Sequence, residues 1–458
     1  MISFEVLLRR NPWWRGREFF EEDEDYRKWM SKSVRWVPGL LHEIKLKPFS
    51  LHFLFGPRQV GKTTLMKLLV KKVLDEGAPP RSVFYFRCDE LKDYRELREL
   101  IEAYLNLREA WGIKSSYILL DEITFPEEWY RAIKAMIDDG LLARDILVLS
   151  GSASLEVRRD IERFPGRRGG GRDYRLLPLC FRDFIKVLEP PLYSKLPKLE
   201  SLREAEVAKK AAEASVHLTE LNKLLRAYFE VGGFPLAINA YRELGYVPQE
   251  VPETYLAWVR GDLAKIGRSP EVAREILRSI LVKLPTPVSW ESISKDTSIR
   301  SPKTASTYVH TLSHMFILNI HYYIDISRGT VSFLKNKKIS LIDPLLIKAF
   351  EDWCLVELKN RESILAENTL AAHIARAGRA YYWKDKTEVD CILQLKDSLI
   401  GFEVKWRGKP KPHRIRSSKL KVTYTLTKSM LDVKEKMLPL SVFLALLDPT
   451  SLQVGYSS

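Results

Sequence analysis

The chain has 458 residues, 45% hydrophobic and 29% charged, a globular balance that excludes a largely disordered or collagen-like protein. At about three times a typical domain of roughly 150 residues it should hold several domains. Lys plus Arg number 74 against 59 Asp plus Glu, a net charge of +15 that favours an anionic partner such as nucleic acid.

Four widely spaced cysteines, Cys88, Cys180, Cys354 and Cys391, offer neither a C-x-x-C zinc pair nor a disulfide framework. No apolar stretch approaches the roughly 18 residues needed to cross a bilayer, and Met1 to Asn11 carries Glu5, Arg9 and Arg10. A cytoplasmic protein without membrane contact is expected. With only 4 Gln and 8 Asn against abundant Lys, Arg and Glu, the composition also suits a thermophilic source.

Residues 1–45 carry Asn11-Pro12-Trp13-Trp14-Arg15 and Glu21-Glu22-Asp23-Glu24-Asp25, an aromatic and charged arm without periodicity that should pack on the next domain. In residues 46–185 short apolar runs alternate with longer amphipathic ones. The runs are Leu51–Phe55, Val83–Phe86, Tyr117–Leu120, Ile146–Leu149 and Tyr174–Leu177. This pattern predicts βαβ units around a buried parallel sheet.

Gly56-Pro57-Arg58-Gln59-Val60-Gly61-Lys62-Thr63 fits G-x-x-x-x-G-K-[ST] between an apolar run and the amphipathic stretch Thr64–Leu74, the context a phosphate-binding loop requires. The glycines let backbone amides curl round a β-phosphate, aided by the positive end of the following helix; these eight residues and Thr64 are read as nucleotide-binding. Lys62 is placed between the β- and γ-phosphates, and Thr63 gives its hydroxyl to Mg²⁺. Asp121-Glu122 ends the third apolar run, 59 residues after Lys62. An acid closing a buried strand needs a cation. Asp121 is assigned to Mg²⁺ through water, and Glu122 to orienting and deprotonating the attacking water; the alternative is a solvated acidic turn.

The fourth run ends in Ser150-Gly151-Ser152. Ser150 or Ser152 suits a polar sensor of the γ-phosphate, and Ser150 is assigned. Phe164–Arg172 interleaves three consecutive glycines with arginines and predicts a flexible loop. It offers either a transition-state arginine or a mobile basic segment facing nucleic acid or solvent. Residues 186–285 lack strand-like runs and read as helices, for example Leu202–Ala214 and Leu218–Val231, broken at Gly232-Gly233.

The phosphate-binding loop, Asp121-Glu122, Ser150-Gly151-Ser152, Pro178-Leu179-x-Phe181-x-x-Phe184 and Asn11-Pro12-Trp13-Trp14 together resemble the archaeal-type ATPases of the AAA/STAND branch, over residues 11–240. The resemblance implies a three-layer α/β P-loop NTPase with parallel strand order 5-1-4-3-2, ATP hydrolysis with Mg²⁺, and room for a homo-oligomer. It also implies a helical lid whose Gly232-Gly233-Phe234-Pro235 element sets Pro235 against adenine, although a plain helix start gives the same letters.

Residues 286–340 predict a winged helix-turn-helix. Ser289–Ile293 opens a short helix, Asp296–Ile299 turns, and Ser301-Pro302 caps a second helix with Ala305, Val309, Leu312 and Phe316 on one face. Lys303, Ser306, Thr307 and His310 face outward. Strands Ile317–Ile324 and Thr330–Leu334 would form the wing, with Arg328 and Lys335 near phosphates. Protein docking is the alternative use, and His310 and His314 are read as packing residues.

Residues 341–458 predict an α/β segment with strands at Tyr381–Trp383, Val389–Leu393, Ile400–Val404 and Val442–Leu447. Asp390 and, thirteen residues later, Glu403-Val404-Lys405 would be paired by a turn at Lys396-Asp397-Ser398. Two adjacent carboxylates need a countercharge, and Mg²⁺ is the usual one. This pattern resembles the D…E-x-K core of restriction-endonuclease-like nucleases, which implies Asp390, Glu403 and Glu367 as metal ligands and Lys405 as a catalytic group. A solvated strand face gives the same letters. Between Lys405 and Lys421 there are eight Lys or Arg and no acid, either a phosphate-lined approach or a charged surface loop.

The sequence thus reads as an ATP-hydrolysing switch that couples nucleotide state to DNA binding or processing. Two alternatives stand beside it: an ATP-gated DNA-binding regulator with an inert nuclease-like end, and a signalling or chaperone-type ATPase that binds proteins.

Overall fold

The computed structural model describes residues 3–152, 164–396, 398–408, 410–412, 415 and 417–449. The chain divides into two compact units at Leu177/Pro178.

In the first unit β1 (Ser50–Gly56), β2 (Val83–Arg87), β3 (Tyr117–Asp121), β4 (Ile146–Ser152) and β5 (Asp173–Arg175) form one sheet in the order β2-β3-β4-β1-β5. All its pairings are parallel. This is 5-1-4-3-2 read from the opposite edge. Parallel strands need crossovers, and helices Lys62–Asp75, Tyr94–Ala110 and Trp129–Asp138 supply them, each burying an apolar stripe such as Leu97, Leu100, Ile101 and Tyr104. The Asp93 carboxylate starts the second of these helices by accepting from the amides of Arg95 and Glu96. With β4 at the centre, between β1 and β3, and all strands running one way, Gly56, Asp121 and Ser150 gather at one edge: Leu54 pairs with Ser150, and Leu120 with Leu149.

The arm is helical, with turns at Phe4–Arg10, Pro12–Arg15, Arg17–Glu22 and Glu24–Met30, and it covers the outer edge of β2. Asn11 does what a neighbouring strand would do. Its Nδ2 donates to Tyr85 O at 3.1 Å and its Oδ1 accepts from Tyr85 N at 2.7 Å. Both indole N–H groups, of Trp13 and Trp14, donate to Val83 O at 2.8 and 2.9 Å. An edge strand left bare is a site of unwanted pairing, so the Asn-Pro-Trp-Trp run is explained by satisfying this one. Deeper in, Lys67 and Asp23 form a buried ion pair at 2.7 Å, with the ammonium 3.4 Å from the centre of the Tyr85 ring.

The loop expected to be flexible, Phe164–Arg172, is pinned along β1. Leu51 N donates to Arg168 O, Gly170 N to Phe49 O and Phe53 N to Arg172 O. Gly169 and Gly171 are needed because a Cβ there would strike the Phe49 and Leu51 backbone. Close approach, and not mobility, explains the glycines. Arg167 pairs with Asp138 and Arg168 with Asp173, each at 2.5 Å.

The second unit begins with helices Phe181–Leu188, Glu204–Ala214, Leu218–Val231, Pro235–Leu244, Glu250–Lys265 and Pro270–Lys283. Its eight-stranded sheet holds β6 (Leu318–Asp325), β7 (Thr330–Ser332), β8 (Lys338–Leu341), β9 (Arg379–Lys384), β10 (Glu388–Leu395), β11 (Ser398–Lys405), β12 (Leu420–Thr427) and β13 (Met437–Pro439). The order is β13-β12-β11-β10-β9-β6-β7, with β8 also on β6.

Four differences from the sequence reading emerge. The hairpin β6–β7 is no separate wing, because β6 also pairs with β8 and β9, so the sheet runs across the boundary expected at 340/341. Val442–Leu447 lies mostly in a helix, Leu440–Leu446, buried on all sides; a short all-apolar run has no periodicity to tell helix from strand. β12, with Val422, Tyr424 and Leu426 buried, was hidden by the basic residues before it. The Pro178–Phe184 run belongs to the second unit. There Leu179 N donates to Gly233 O at 2.7 Å, Tyr228 OH to Leu179 O at 2.8 Å and Phe181 N to His373 Nε2 at 2.8 Å.

Candidate functional site

At the carboxyl edge of the first sheet, the turn after β1 is held open by two residues with positive φ, Gln59 at 57° and Gly61 at 102°. The second is a conformation that favours glycine. Val60 is buried beneath the turn, and Lys62 starts the helix. The Lys62 ammonium donates to Gly56 O at 3.2 Å and Pro57 O at 3.1 Å, folded back on its own loop.

Asp121, wholly buried, is ringed by hydroxyls. Thr63 Oγ1 donates to Oδ2 at 2.6 Å and Tyr85 OH to the same oxygen at 3.1 Å, while Ser150 Oγ donates to Oδ1. Glu122 follows at φ 52°, its amide donating to Ser150 Oγ at 3.2 Å. Burial pushes the Glu122 carboxyl above its ordinary range, against the pull of Lys62 and Arg58. Ser150, read as a phosphate sensor, spends its hydroxyl on Asp121 and Glu122.

Lys62, Thr63, Asp121, Glu122 and Ser150 therefore meet at one edge. Sequence reasoning gave Tyr85 no role, although a phenol inside an otherwise apolar strand was the available signal. Pro235 begins its helix in the second unit, where the preceding Gly233 N donates to Asp343 Oδ2 at 2.8 Å.

A family profile described as "AAA domain" matches residues 48–185. This part of the chain is an AAA domain. A second profile, "Domain of unknown function (DUF4143)", matches residues 359–436. No curated protein sequence matches. Among solved structures, the chain is similar to the Aeropyrum pernix Orc1 protein in complex with DNA (15% identity, 75% of this chain and 96% of that one, TM-score 0.32). It is also similar to Cdc6p from Pyrobaculum aerophilum (15%, 71% and 96%, TM-score 0.29) and to AMPPCP-bound DnaA from Aquifex aeolicus (14%, 63% and 92%, TM-score 0.28). Scores at this level speak to neither activity nor ligand.

A second cluster lies in the other unit, on the faces of β8, β10 and β11 and on helix Arg361–Ala377. Cys391 pairs with Phe402, which sets Asp390 beside Glu403. Asp390 N donates to Glu403 Oε2 at 3.3 Å and Val404 N to Asp390 Oδ2 at 2.9 Å, while Lys405 Nζ meets Glu403 Oε1 at 2.5 Å. Asp397, expected in the connecting turn, lies outside the described residues. Glu367 reaches the same cluster, but through Lys338: its Nζ lies 2.6 Å from Glu367, 2.8 Å from Glu388 and 2.9 Å from Asp390. Burial, reinforced by the Asp390 charge, pushes Glu367 and Glu403 up to about 8, whereas at Asp390 burial is overcome by the Lys338 ammonium, the Val404 amide and Lys405 acting together, which lower the pKa. Lys338 and Glu388 had no place in the sequence reading. Nothing local marks Lys338, which opens an apolar strand just after Lys337, as the lysine that turns toward the acids.

The helix-turn-helix residues form Trp290–Ser294 and Pro302–His314, with Ala305, Val309 and Leu312 buried and the Ser301 hydroxyl capping. His310 packs against Trp290 at 5.8 Å between ring centres. The hairpin and the basic run meet: Ser418 Oγ donates to Ser327 O at 2.9 Å, and Ile324, Ile326 and Leu420 share one apolar cluster. Arg328 and Lys419 are exposed next to the residues of that contact and Lys335 is exposed over the Tyr323 ring, whereas Lys409, Arg414 and Arg416 lie outside the described residues.

Proposed function

We propose that the AAA domain binds and hydrolyses ATP and that its nucleotide state governs DNA binding by the second unit. The observation that carries the first half is the 2.6 Å approach of Thr63 Oγ1 to Asp121 Oδ2 at the mouth of the phosphate-binding loop. Those two hard oxygens fit Mg²⁺ and would hold it, and the ion would supply neutralisation of phosphate charge when bound. Lys62 would leave its loop carbonyls for the β- and γ-phosphates. Gly56 to Thr64 would present amides to the triphosphate, and Glu122 would take a proton from the attacking water. Ser150, by donating to Asp121 and accepting from Glu122 N, would hold both acids in place.

DNA contact is supported by charge: Arg328 and Lys419 are exposed where the hairpin meets the basic run and Lys335 is exposed just after the hairpin, and a surface of that kind suits phosphates. The segment around Pro302–His314 would approach a groove, and the protein would work in the cytoplasm, with homo-oligomers open to it. Among the described residues no helix is long and apolar enough to cross a membrane. The regulator that binds without cutting is favoured over a nuclease by the lysine inside the Asp390 cluster.

The test is ATP turnover. Lys62→Ala should abolish it, and Glu122→Gln should retain bound ATP without releasing phosphate. Full turnover in both variants would refute the site.

A further inference from the structure

Lys338 is the first residue of β8 and is 5% exposed. Its ammonium has three protons and three carboxylate partners, one each from Glu367, Glu388 and Asp390, at 2.6, 2.8 and 2.9 Å. The remaining carboxylates are equally engaged. Asp390 Oδ2 accepts from Val404 N, and Glu403 accepts from Lys405 and from Asp390 N. Lys384 adds a second cation on Glu388 at 2.8 Å.

A divalent cation at such a cluster draws the carboxylate oxygens to itself at about 2.0–2.6 Å. Here the oxygens converge on a nitrogen that the fold itself supplies. Admitting a metal would place two more positive charges against a buried ammonium, or expel that ammonium from its three carboxylate partners, and either is costly. The pocket onto which Lys338, Glu367 and Asp390 open, closed by Leu284, Pro285 and Ala371, has room for about one water. Among the described residues no three His, Cys, Asp or Glu are grouped to hold a metal ion. The residues present do not fit the metal of a nuclease.

We infer that Lys338 is the built-in cation of this carboxylate cluster, so that the second unit uses a nuclease-like arrangement of acids as a metal-free structural centre and does not cleave phosphodiesters. The lysine ties β8, the strand that follows the hairpin, to β10 and to helix Arg361–Ala377, fixing the hairpin's base on the sheet. The inference is independent of the ATPase reading, because it concerns the other unit.

The experiment titrates Mn²⁺ into the full-length, nucleotide-free protein and follows both heat of binding and melting temperature, in an Asp121→Asn background that removes the other acid-lined site. The parent should show no Mn²⁺ affinity that Asp390→Asn abolishes. Lys338→Met, which frees the carboxylates, should melt lower, and Mn²⁺ should raise its melting temperature, with affinity gained by roughly tenfold or more. Lys338→Arg should remain blind to metal. Asp390-dependent Mn²⁺ binding in the parent, Asp390-dependent cutting of linear or branched DNA by the otherwise unsubstituted protein, or a folded Lys338→Met that gains no affinity would each overturn the inference. If Lys338→Met does not fold even with Mn²⁺, the parent titration alone decides.

Discussion

Two aspartates stand at comparable places in the two units, and their neighbours set them apart. Asp121 ends a buried strand among the hydroxyls of Thr63, Tyr85 and Ser150, and the nearby Lys62 donates to carbonyls of its own loop. Asp390 lies on a buried strand against the ammonium of Lys338, with a backbone amide on its other oxygen. Hydroxyls orient a carboxylate without neutralising it, whereas an ammonium does both. Asp121 takes its side-chain hydrogen bonds from hydroxyls, and Asp390 takes one from an ammonium that the fold itself supplies. An acid at a strand end is therefore no evidence of chemistry until its countercharge is known.

The strongest way to break that contrast is to remove each lysine in turn and measure stability. Lys338→Met leaves Glu367 and Asp390 without their cation while Glu388 keeps Lys384, and breaking a buried pair costs about 3–5 kcal/mol. Lys62→Met takes an ammonium away from loop carbonyls, where the acceptors are neutral and not carboxylates, so its loss should be the smaller. Equilibrium unfolding in urea, with a probe in each unit, should show the larger loss in the second unit. Equal losses would mean that the two lysines play the same part.

Much of the first unit was legible because parallel strands buried on both faces leave continuous apolar runs, and because the loop from Gly56 to Thr63 needs a specific order of residues. The second unit was read less well. Its acids were found from their alternation on a strand, but their cation comes from Lys338, fifty-two residues before Asp390, and no local pattern shows which lysine will fold inward. The hairpin β6–β7 could be seen as two strands and not as part of the sheet containing β9, since that pairing is non-local. Leu440–Leu446 misled for a different reason: burial on every side erases the period that separates helix from strand.

The next prediction is smaller and sharpens the account of Asp121. Tyr85 OH donates to the oxygen that Thr63 also uses, and its backbone is clamped by Asn11. Tyr85→Phe removes one hydrogen bond to a charged acceptor, worth about 1.5–3 kcal/mol, and keeps the ring over which Lys67 sits. ATP turnover should fall roughly tenfold, partly restored at high Mg²⁺, because Asp121 would be held less firmly. Asn11→Ala should act in the same direction and more weakly, through the strand. A Tyr85→Phe protein with unchanged turnover and Mg²⁺ dependence would confine the phenol to packing.

The smallest expected effect is on pH dependence. Glu122 acts as a base only when ionised, and burial raises its pKa in the folded protein. An ordinary glutamate near 4.3 would leave turnover flat down to about pH 5. Here the acid limb should begin at higher pH: activity is full well above the raised pKa and is lost as pH falls through it, earlier than for an exposed glutamate. Since Lys62 and Arg58 oppose the burial effect, Arg58→Gln should move that limb upward again, by a fraction of a pH unit if the guanidinium is partly screened by solvent. A profile of kcat/KM against pH for the unsubstituted protein and this variant measures the displacement directly. A downward movement would mean that the limb belongs to a group other than Glu122.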